Sequence, residues 1–449
     1  MFSQVLSKNA KIIIVTLSVF FYLLPFSGRF IIWQQPIVGT DVINDFTKVF
    51  IFAVDIVALI GVLILLQAAP KQALPKKTVF LFLCIFIGWA GFSFLMADVH
   101  SFLGLILLAR LLLAGLLFWT ITKIPPALAF TTMAFGLVVS GVIQTFFAVS
   151  QFLARGSAGF PILGESSLII GQEGVASFVA GGEKWLRAYG TLPHPNILAL
   201  FLTISFLSAL ALIISLKPHK YKKALIAAAV FIALGLMLTL SRIFIMLAVL
   251  GVILFWLIRR PPAGRFAKFK RYGIAAGIVF VFFAGLLVVR SPENDNSLNY
   301  RVLYGNAASR LAQSNKVFGI GLGQSVLLGG EALQAEVTAQ NTEYQPWMHQ
   351  PAHSIFMLTF VETGAVGMTL FIIFLVLVTN RVYKKIKKDP LARENIFFVF
   401  SGVASVLIVI AMFFEHMFFT SPTALYLSFA VFGLLVSSKN NLDNPGRGL

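Results

Sequence analysis

The sequence predicts an all-α polytopic membrane protein with about 12 transmembrane helices and one large, partly helical loop on the outer face. Two observations exclude an ordinary soluble fold. Of the 449 residues, 58% are hydrophobic and only 12% are charged, whereas about a quarter of a soluble domain is charged. The mean hydropathy is +0.90. The apolar residues also form runs close to the roughly 20 residues that a helix needs to cross the hydrocarbon core of a bilayer.

The apolar runs are taken in chain order. They lie near residues 11–28, 48–69, 78–97, 101–119, 127–152, 195–216, 224–240, 243–258, 273–289, 354–379, 396–417 and 423–437. Lys8 and Lys11 precede the first run as in a signal peptide. However, its apolar residues continue to Phe26 without a small-x-small cleavage site, so we interpret it as a retained helix. We expect residues 1–449 to form a single membrane domain.

The basic residues predict the orientation. With both termini in the cytoplasm, most of the 35 Lys and Arg residues fall in cytoplasmic loops, as the positive-inside rule requires. The net charge of +18 is therefore interpreted as a topology signal and an attraction to anionic membrane lipid, and no nucleic acid is expected as a partner.

This orientation sends two long connections, 154–194 and 290–353, to the outer face of the membrane. Loops of this length are usually functional. In the second, Leu298 to Gln313 alternates an apolar and a polar face with helical spacing, which predicts a helix. A glycine-rich turn, Phe318-Gly-Ile-Gly-Leu-Gly323, and a short helix from Glu331 to Thr338 follow.

Arginines and histidines near this face are candidates for binding phosphate. Arg187 lies in Arg187-Ala-Tyr-Gly-Thr-Leu-Pro-His-Pro-Asn196, a stiff turn that carries His194 and leads into a helix beginning near Asn196. Arg242 follows a short turn, and Arg290, Arg301 and Arg310 also lie on the outer side. Guanidinium groups match phosphate oxygens, and a helix N-terminus adds partial positive charge. The alternative for each arginine alone is contact with a lipid headgroup.

Arg110 differs from these arginines because it lies in the middle of an apolar run. A charge inside the membrane needs a partner, and Asp55 and Glu362 are the candidates. We favour a structural ion pair.

His353 is the best candidate for a general base. A histidine with an ordinary pKa near 6.5 is mostly neutral at pH 7 and can accept a hydroxyl proton. His349 and His353 could instead bind a metal with Glu343 or Glu362, but Pro351 breaks the helix that would align them, so no metal is predicted. Glu362 lies nine residues further on and is expected to be a buried hydrogen-bonding partner.

Two further features accompany this histidine. Gly364 and Gly367 are expected to allow close helix packing. Glu415 and His416, near the end of the eleventh run, form a weaker polar pair that could line the same cavity.

Several motifs resemble one known family. His353-Ser354, nine residues and then Gly364-Ala-Val-Gly367 fit the pattern H-[NSQ]-x9-G-x-x-[GTY] of the bacterial O-antigen ligase family, which includes O-antigen polymerases and related lipid-linked-glycan transferases. Further motifs occur in the family's order: Gly190-Thr-Leu-Pro-His-Pro-Asn196, Leu240-Ser-Arg242, Phe318-Gly-Ile-Gly-Leu-Gly323 and Pro351-Ala-His-Ser354. Ser354 stands where the ligases often have asparagine, which leaves the subfamily open.

The resemblance implies a glycosyltransferase on the periplasmic face of the bacterial inner membrane. It would move a glycan from undecaprenyl pyrophosphate to a hydroxyl of lipid A-core or another cell-surface acceptor, by inverting displacement without metal or cofactor. By resemblance, His353 would activate the acceptor, and Arg187, Arg242 and Arg301 would hold the donor pyrophosphate. Arg290 and Arg310 are the alternatives to Arg301. Residues with expected supporting roles are His194, Asn196, Arg310, His349 and Glu362.

Three alternatives remain open. The acceptor could be another lipid-linked sugar, as in a polymerase, or a protein hydroxyl, as in a protein O-oligosaccharyltransferase. A secondary transporter would also have about twelve helices, but it should show charged or Gly/Pro-broken segments in matching halves near the midplane. This chain instead concentrates its polar groups in two outer loops of its middle third.

Overall fold

The computed structural model describes residues 7–70, 77–99, 101–172, 174–215, 221–259, 264, 273, 277, 297–388 and 395–437. Within them the helices, in chain order, are α1 (Lys8–Leu23), α2 (Ala53–Ala68), α3 (Lys77–Leu95), α4 (Phe102–Lys123), α5 (Pro126–Ala154), α6 (Pro195–Ser215), α7 (Lys222–Leu238), α8 (Arg242–Arg259), α9 (Ser297–Leu311), α10 (Gly330–Ala339), α11 (Ile355–Lys388), α12 (Ile396–Met412), α13 (Met417–Thr420) and α14 (Pro422–Val436). The strands are β1 (Arg29–Gln34), β2 (Lys48–Phe52), β3 (Ser177–Ala180) and β4 (Glu183–Leu186).

Six helices of the described part, α3, α4, α5, α6, α8 and α11, are long and apolar enough to cross a membrane. Shorter apolar helices are α2, α12 and α14. The chain is therefore a helical membrane protein, as the composition predicts. The predicted run 273–289 lies outside the described residues except at Gly273 and Gly277, and the count of about 12 spans stays a prediction.

The helices pack around α14, which is buried along its whole length and lies against α4 and α12. A helix that is apolar all round belongs in the interior of such a bundle. By contrast, α2 and α3 expose large apolar side chains such as Leu59, Leu63 and Leu81. An apolar outer surface of this kind suits contact with lipid.

The second apolar run differs from its prediction. Residues 48–52 form strand β2, which pairs antiparallel with β1, and the helix begins only at Ala53. The Asp55 carboxylate fixes this start, because it accepts a hydrogen bond from the Phe52 backbone N–H at 3.1 Å. Arg110 forms an ion pair with the same carboxylate at 2.8 Å. Asp55 is thus the partner of the charge inside the fourth apolar run.

Helix α11 is broken at Gly364, whose φ is 69°. The glycine-rich turn docks at the break: the Ala365 N–H donates to the Lys316 carbonyl at 2.9 Å, and the Gly321 N–H donates to the Glu362 carbonyl at 3.0 Å. A Cβ at Gly364 would lie 2.0 Å from the Val317 carbonyl oxygen. Gly364 therefore permits the close approach of a loop, where close packing of helices was expected.

The long connections meet at one end of the bundle. The two predicted loop helices are present as α9 and α10, and they share a small core that contains Leu303, Leu333 and Met348. The hairpin region between α1 and α2 touches this loop, since the Asn44 side chain donates to the His349 carbonyl at 2.7 Å. The same end also receives the 155–194 connection and the turns that follow α7 and α12.

Candidate functional site

The turn before α6 is fixed by glutamines of α5. The Gln151 side chain accepts the N–H groups of Tyr189 and Gly190, both at 2.9 Å, and donates to the Gly190 carbonyl at 2.7 Å. Gly190 has a φ of 60°, and a Cβ there would lie 2.3 Å from a Gln144 oxygen. Backbone conformation and space together require glycine. The turn therefore holds Arg187 and His194 in a set relation to the bundle.

Arg187 is buried and joins separate elements. Its Nε donates to the Thr239 carbonyl at 2.9 Å, and its Nη2 donates to Asn196 Oδ1 at 2.8 Å. The Ser241 hydroxyl donates to the same Asn196 oxygen at 2.9 Å. These bonds tie the first long connection to the start of α6 and to the turn between α7 and α8.

Glu415 extends this arrangement to the large loop. Its Oε1 accepts hydrogen bonds from Asn196 Nδ2 at 2.7 Å and from Arg301 Nη2 at 3.0 Å. Arg301 Nη1 also donates to the Phe414 carbonyl at 2.8 Å. Burial raises the pKa of Glu415, and the Arg301 guanidinium opposes this rise. We call Arg187, Asn196, Glu415 and Arg301 the arginine–glutamate network.

His353 lies in a group of rings beside this network. Its imidazole stacks on Tyr304 at 5.6 Å between centroids and 21° between planes. It also meets the His416 ring at 5.0 Å and 71°. Its Nδ1 is buried, and no group among the described residues hydrogen-bonds to it. One ring nitrogen of the proposed base therefore has no hydrogen-bond partner within the described part of the protein.

Burial and cationic neighbours keep these histidines uncharged. The pKa of His353 is lowered well below 6.5, first by burial and then by His416 and Arg301. Burial and Arg187 lower the pKa of His194 to about 3. Burial and Arg301 lower that of His416 to about 4. All three imidazoles are therefore neutral at pH 7.

Arg310 and His349 lie outside the network, within the large loop. Arg310 forms an ion pair with the buried Glu336 and so fastens α9 to α10. This bond lowers the pKa of Glu336. His349 is buried, and its Nε2 hydrogen-bonds to the Tyr344 hydroxyl at 2.7 Å. Both side chains therefore hold the loop together.

Glu362 is buried and anchors the glycine-rich turn. Its carboxylate accepts the Gly323 N–H at 2.9 Å and the Ser325 hydroxyl at 2.7 Å, in agreement with the expected role as a hydrogen-bonding partner. Arg242 is the first residue of α8 and follows Ser241 directly. Arg290 lies outside the described residues.

His349 and His353, the candidate metal ligands of the sequence, contact different neighbours. His349 bonds to Tyr344, whereas His353 packs on Tyr304 and His416. Among the residues that the structure describes, no three His, Cys, Asp or Glu side chains are grouped so that they could hold a metal ion.

Three residues of the site have more contacts than their weak sequence signals predict. The sequence predicts Glu415 and His416 only as a weaker polar pair, yet Glu415 bridges Asn196 and Arg301, and His416 contacts the His353 ring. Their signal was an ionisable pair at the end of an apolar run. Tyr304, which stacks on His353, had no signal beyond its place on the predicted loop helix.

The fold and the site define a class: a helical membrane protein with a cationic, histidine-containing site at one end of its bundle. Residues 227–372 match a family described as O-antigen ligase, and no curated protein matches the chain. The match over these residues supports the O-antigen ligase family, as the motifs of the chain indicated. This implies a glycan-processing enzyme of ligase or polymerase type. The matched segment contains Arg242, Arg301 and His353.

Proposed function

We propose that the chain is a glycosyltransferase of the O-antigen ligase type, which moves a glycan from undecaprenyl pyrophosphate to an acceptor hydroxyl. The observation that carries the proposal is the arginine–glutamate network with His353 beside it. Fixed positive charge for a diphosphate and a neutral imidazole for a hydroxyl proton lie at the same end of the bundle. These are the two functions that a metal-independent glycosyl transfer needs from the protein.

The arginines would hold the donor pyrophosphate. The Arg301 side chain is 31% exposed, and the hydrogen bonds to Phe414 and Glu415 engage two of its five N–H donors. Arg187 and Arg242 lie on the neighbouring elements. Helices α6, α8 and α11 also begin at this end, so their N-termini add partial positive charge where the diphosphate would bind.

His353 would act as the general base. The acceptor oxygen attacks the anomeric carbon, the bond from that carbon to the pyrophosphate oxygen breaks, and the hydroxyl proton moves to the imidazole. The electron pair of the broken bond leaves with undecaprenyl pyrophosphate, and one displacement inverts the anomeric configuration. The bound donor anion would offset Arg301 and so raise the pKa of His353, which makes the histidine a stronger base in the complex.

The proposal includes a membrane orientation. About 12 spans, cytoplasmic termini and periplasmic connections 154–194 and 290–353 would place the site on the outer face of the bacterial inner membrane. Two observations support this placement. The basic clusters of the sequence lie in the opposite loops, and the connections that supply Arg187, Arg301 and His353 meet at a single end of the bundle.

The helix break at Gly364 bears on the transporter alternative. Broken helices in transporters expose backbone groups to a substrate cavity. Here the Lys316 carbonyl and the Gly321 N–H bond to the backbone at the break, so the glycine-rich turn fills it. This favours a structural break over a transport site, and a transferase over a transporter.

Product formation would test the proposal and separate the acceptor classes. The purified protein is incubated with an undecaprenyl-pyrophosphate oligosaccharide and, in separate mixtures, with lipid A-core, a Ser/Thr peptide or a second lipid-linked glycan. We expect transfer to lipid A-core or another cell-surface acceptor. Product with the second lipid-linked glycan would indicate a polymerase, and product with the peptide a protein O-oligosaccharyltransferase. Absence of product in every mixture, with substrate uptake into vesicles containing the protein, would contradict the proposal.

A further inference from the structure

A groove separates the two long connections at the site's end of the bundle. Its volume is about 650 Å³, and its walls include Gln172, Ser177 and Lys184 on one side and Tyr300, Gln345 and Trp347 on the other. This volume is within the usual range of ligand sites. A second cavity, near Tyr304, measures about 30 Å³, which is room for about one water molecule. Of these two cavities, the groove is the one large enough for an organic ligand.

The wall chemistry suits a sugar. A pyranose ring has apolar C–H faces and a rim of hydroxyl groups. Tyr300 and Trp347 offer aromatic surface, with ring centroids 5.2 Å apart and planes at 78°, and Gln172 and Gln345 offer amide donors and acceptors for hydroxyls. Lys184 and Glu343 also line the groove, and their charges balance. A neutral glycan fits the lining that the structure describes better than a charged one.

A series of rings connects the groove to the proposed base. On α9, the rings of Tyr300 and Tyr304 stack with their centroids 6.4 Å apart and their planes at 20°. The Tyr304 ring in turn stacks on His353, with 5.6 Å between the centroids. On the opposite wall, Lys184 belongs to β4, which ends one residue before Arg187. The groove therefore lies between the element that carries the donor-binding arginine and the loop that carries the base.

We propose that this groove binds the oligosaccharide of a substrate and aligns it with His353. The inference rests on the proposed transfer and adds to it a binding site for sugar units beyond the reacting one. The bound oligosaccharide belongs either to the donor or to the acceptor, since both place sugar at the reacting centre. Kinetics with each substrate varied in turn distinguishes these sources.

The test compares Trp347→Ala and Gln172→Ala with the wild-type protein. The probe is the free oligosaccharide released by mild acid from the undecaprenyl-pyrophosphate donor used in the transfer assay, with binding measured by isothermal titration calorimetry. Trp347→Ala should raise the Kd about tenfold, the equivalent of one lost aromatic contact, and Gln172→Ala should raise it several-fold. The same variants should raise KM for the substrate whose glycan lies in the groove, with kcat much less affected.

Two further variants separate binding from folding. Trp347 also packs on the loop core, so Trp347→Phe, which keeps an aromatic face, should restore most of the affinity. Gln172 is exposed, and its loss leaves the core intact. Gln313→Ala, an exposed glutamine of the same loop assembly outside the groove, is the matched control and should bind like wild type.

The outcomes are distinct. Unchanged Kd and KM in both Trp347→Ala and Gln172→Ala, with an active wild-type protein, would overturn the groove and leave the proposed function standing. Failure of the wild-type protein to bind the released oligosaccharide would also overturn it. Binding that depends on Trp347, without transfer to any acceptor, would keep the groove and contradict the transferase.

Discussion

Replacement of His353 by glutamine tests the proposed base most directly. Glutamine keeps a polar side chain of similar reach but cannot take up a proton at neutral pH. General base catalysis contributes about 10²- to 10⁴-fold to a rate, so kcat for glycan transfer should fall by about that factor. KM for the donor should change little, because the donor pyrophosphate is assigned to Arg187, Arg242 and Arg301.

His349 provides a matched comparison for this substitution. It is buried in the same loop, four residues earlier, and its imidazole bonds to the Tyr344 hydroxyl at 2.7 Å away from the arginine–glutamate network. His349→Gln removes that imidazole, and a lost hydrogen bond of this kind costs about 1 kcal/mol of stability. Its effect should therefore appear in the melting temperature, with kcat of the folded protein close to wild type.

The assay is steady-state transfer of a labelled lipid-linked glycan, normalised to folded protein by size-exclusion chromatography and thermal melting. If His353→Gln retained kcat within a few-fold of wild type, the imidazole would not be the base. If both variants lost kcat equally, the loop as a whole, and not the ring at 353, would be responsible.

Four further predictions follow from the same contacts. Arg301→Ala should raise donor KM about 10- to 100-fold, the equivalent of one charge-assisted hydrogen bond. Arg310→Ala, the control, should mainly lower the melting temperature. Equal donor KM values in the two variants would contradict the assignment of Arg301 to the donor. Arg187→Lys should also raise donor KM, because one ammonium cannot keep both the Thr239 and the Asn196 hydrogen bonds, at 2.9 and 2.8 Å, that hold this part of the site in place. Wild-type kinetics in this variant would refute this prediction. Because the His353 pKa is lowered below 6.5, the imidazole stays neutral as the pH falls through 6.5. The fall of kcat/KM on the acid side should then occur below pH 6.5. With the donor anion bound, the corresponding fall of kcat should occur at a higher pH. A fall of kcat/KM that begins above pH 6.5 would argue against a base in this environment. Gly364→Ala should prevent stable folding, seen as lost monodisperse protein in detergent, because its Cβ would lie 2.0 Å from a carbonyl oxygen; a normal melting curve would contradict the close approach.

The sequence by itself determined the class of protein and most of the candidate residues. Whether a run enters a membrane depends mainly on its own hydrophobicity and length, so the apolar helices could be predicted without knowing their neighbours. The helices of the large loop were predicted from their spacing for the same local reason. Short motifs, around His353 and Arg242 above all, also predict the family, and the match over residues 227–372 supports this prediction.

The tertiary structure decided how these residues combine. Arg301 and Glu415 are 114 positions apart, and Arg187 and Thr239 are 52 apart, so their contacts depend on the relative placement of helices and not on local pattern. From the sequence, Arg301 and Arg310 are equivalent arginines on one predicted helix. Only packing shows that one reaches Glu415 while the other binds Glu336.

Tertiary contacts also decide the β1–β2 hairpin and the docking of the glycine-rich turn. Residues 48–52 are apolar enough to continue a membrane helix, but Asp55, held by Arg110, starts the helix at Ala53. Likewise, Gly364 in the sequence predicts close packing but does not indicate that a loop, and not a helix, packs against it. Local hydrophobicity selects the segments that enter the membrane, and long-range ion pairs and backbone hydrogen bonds then decide where each segment begins, breaks and meets the site.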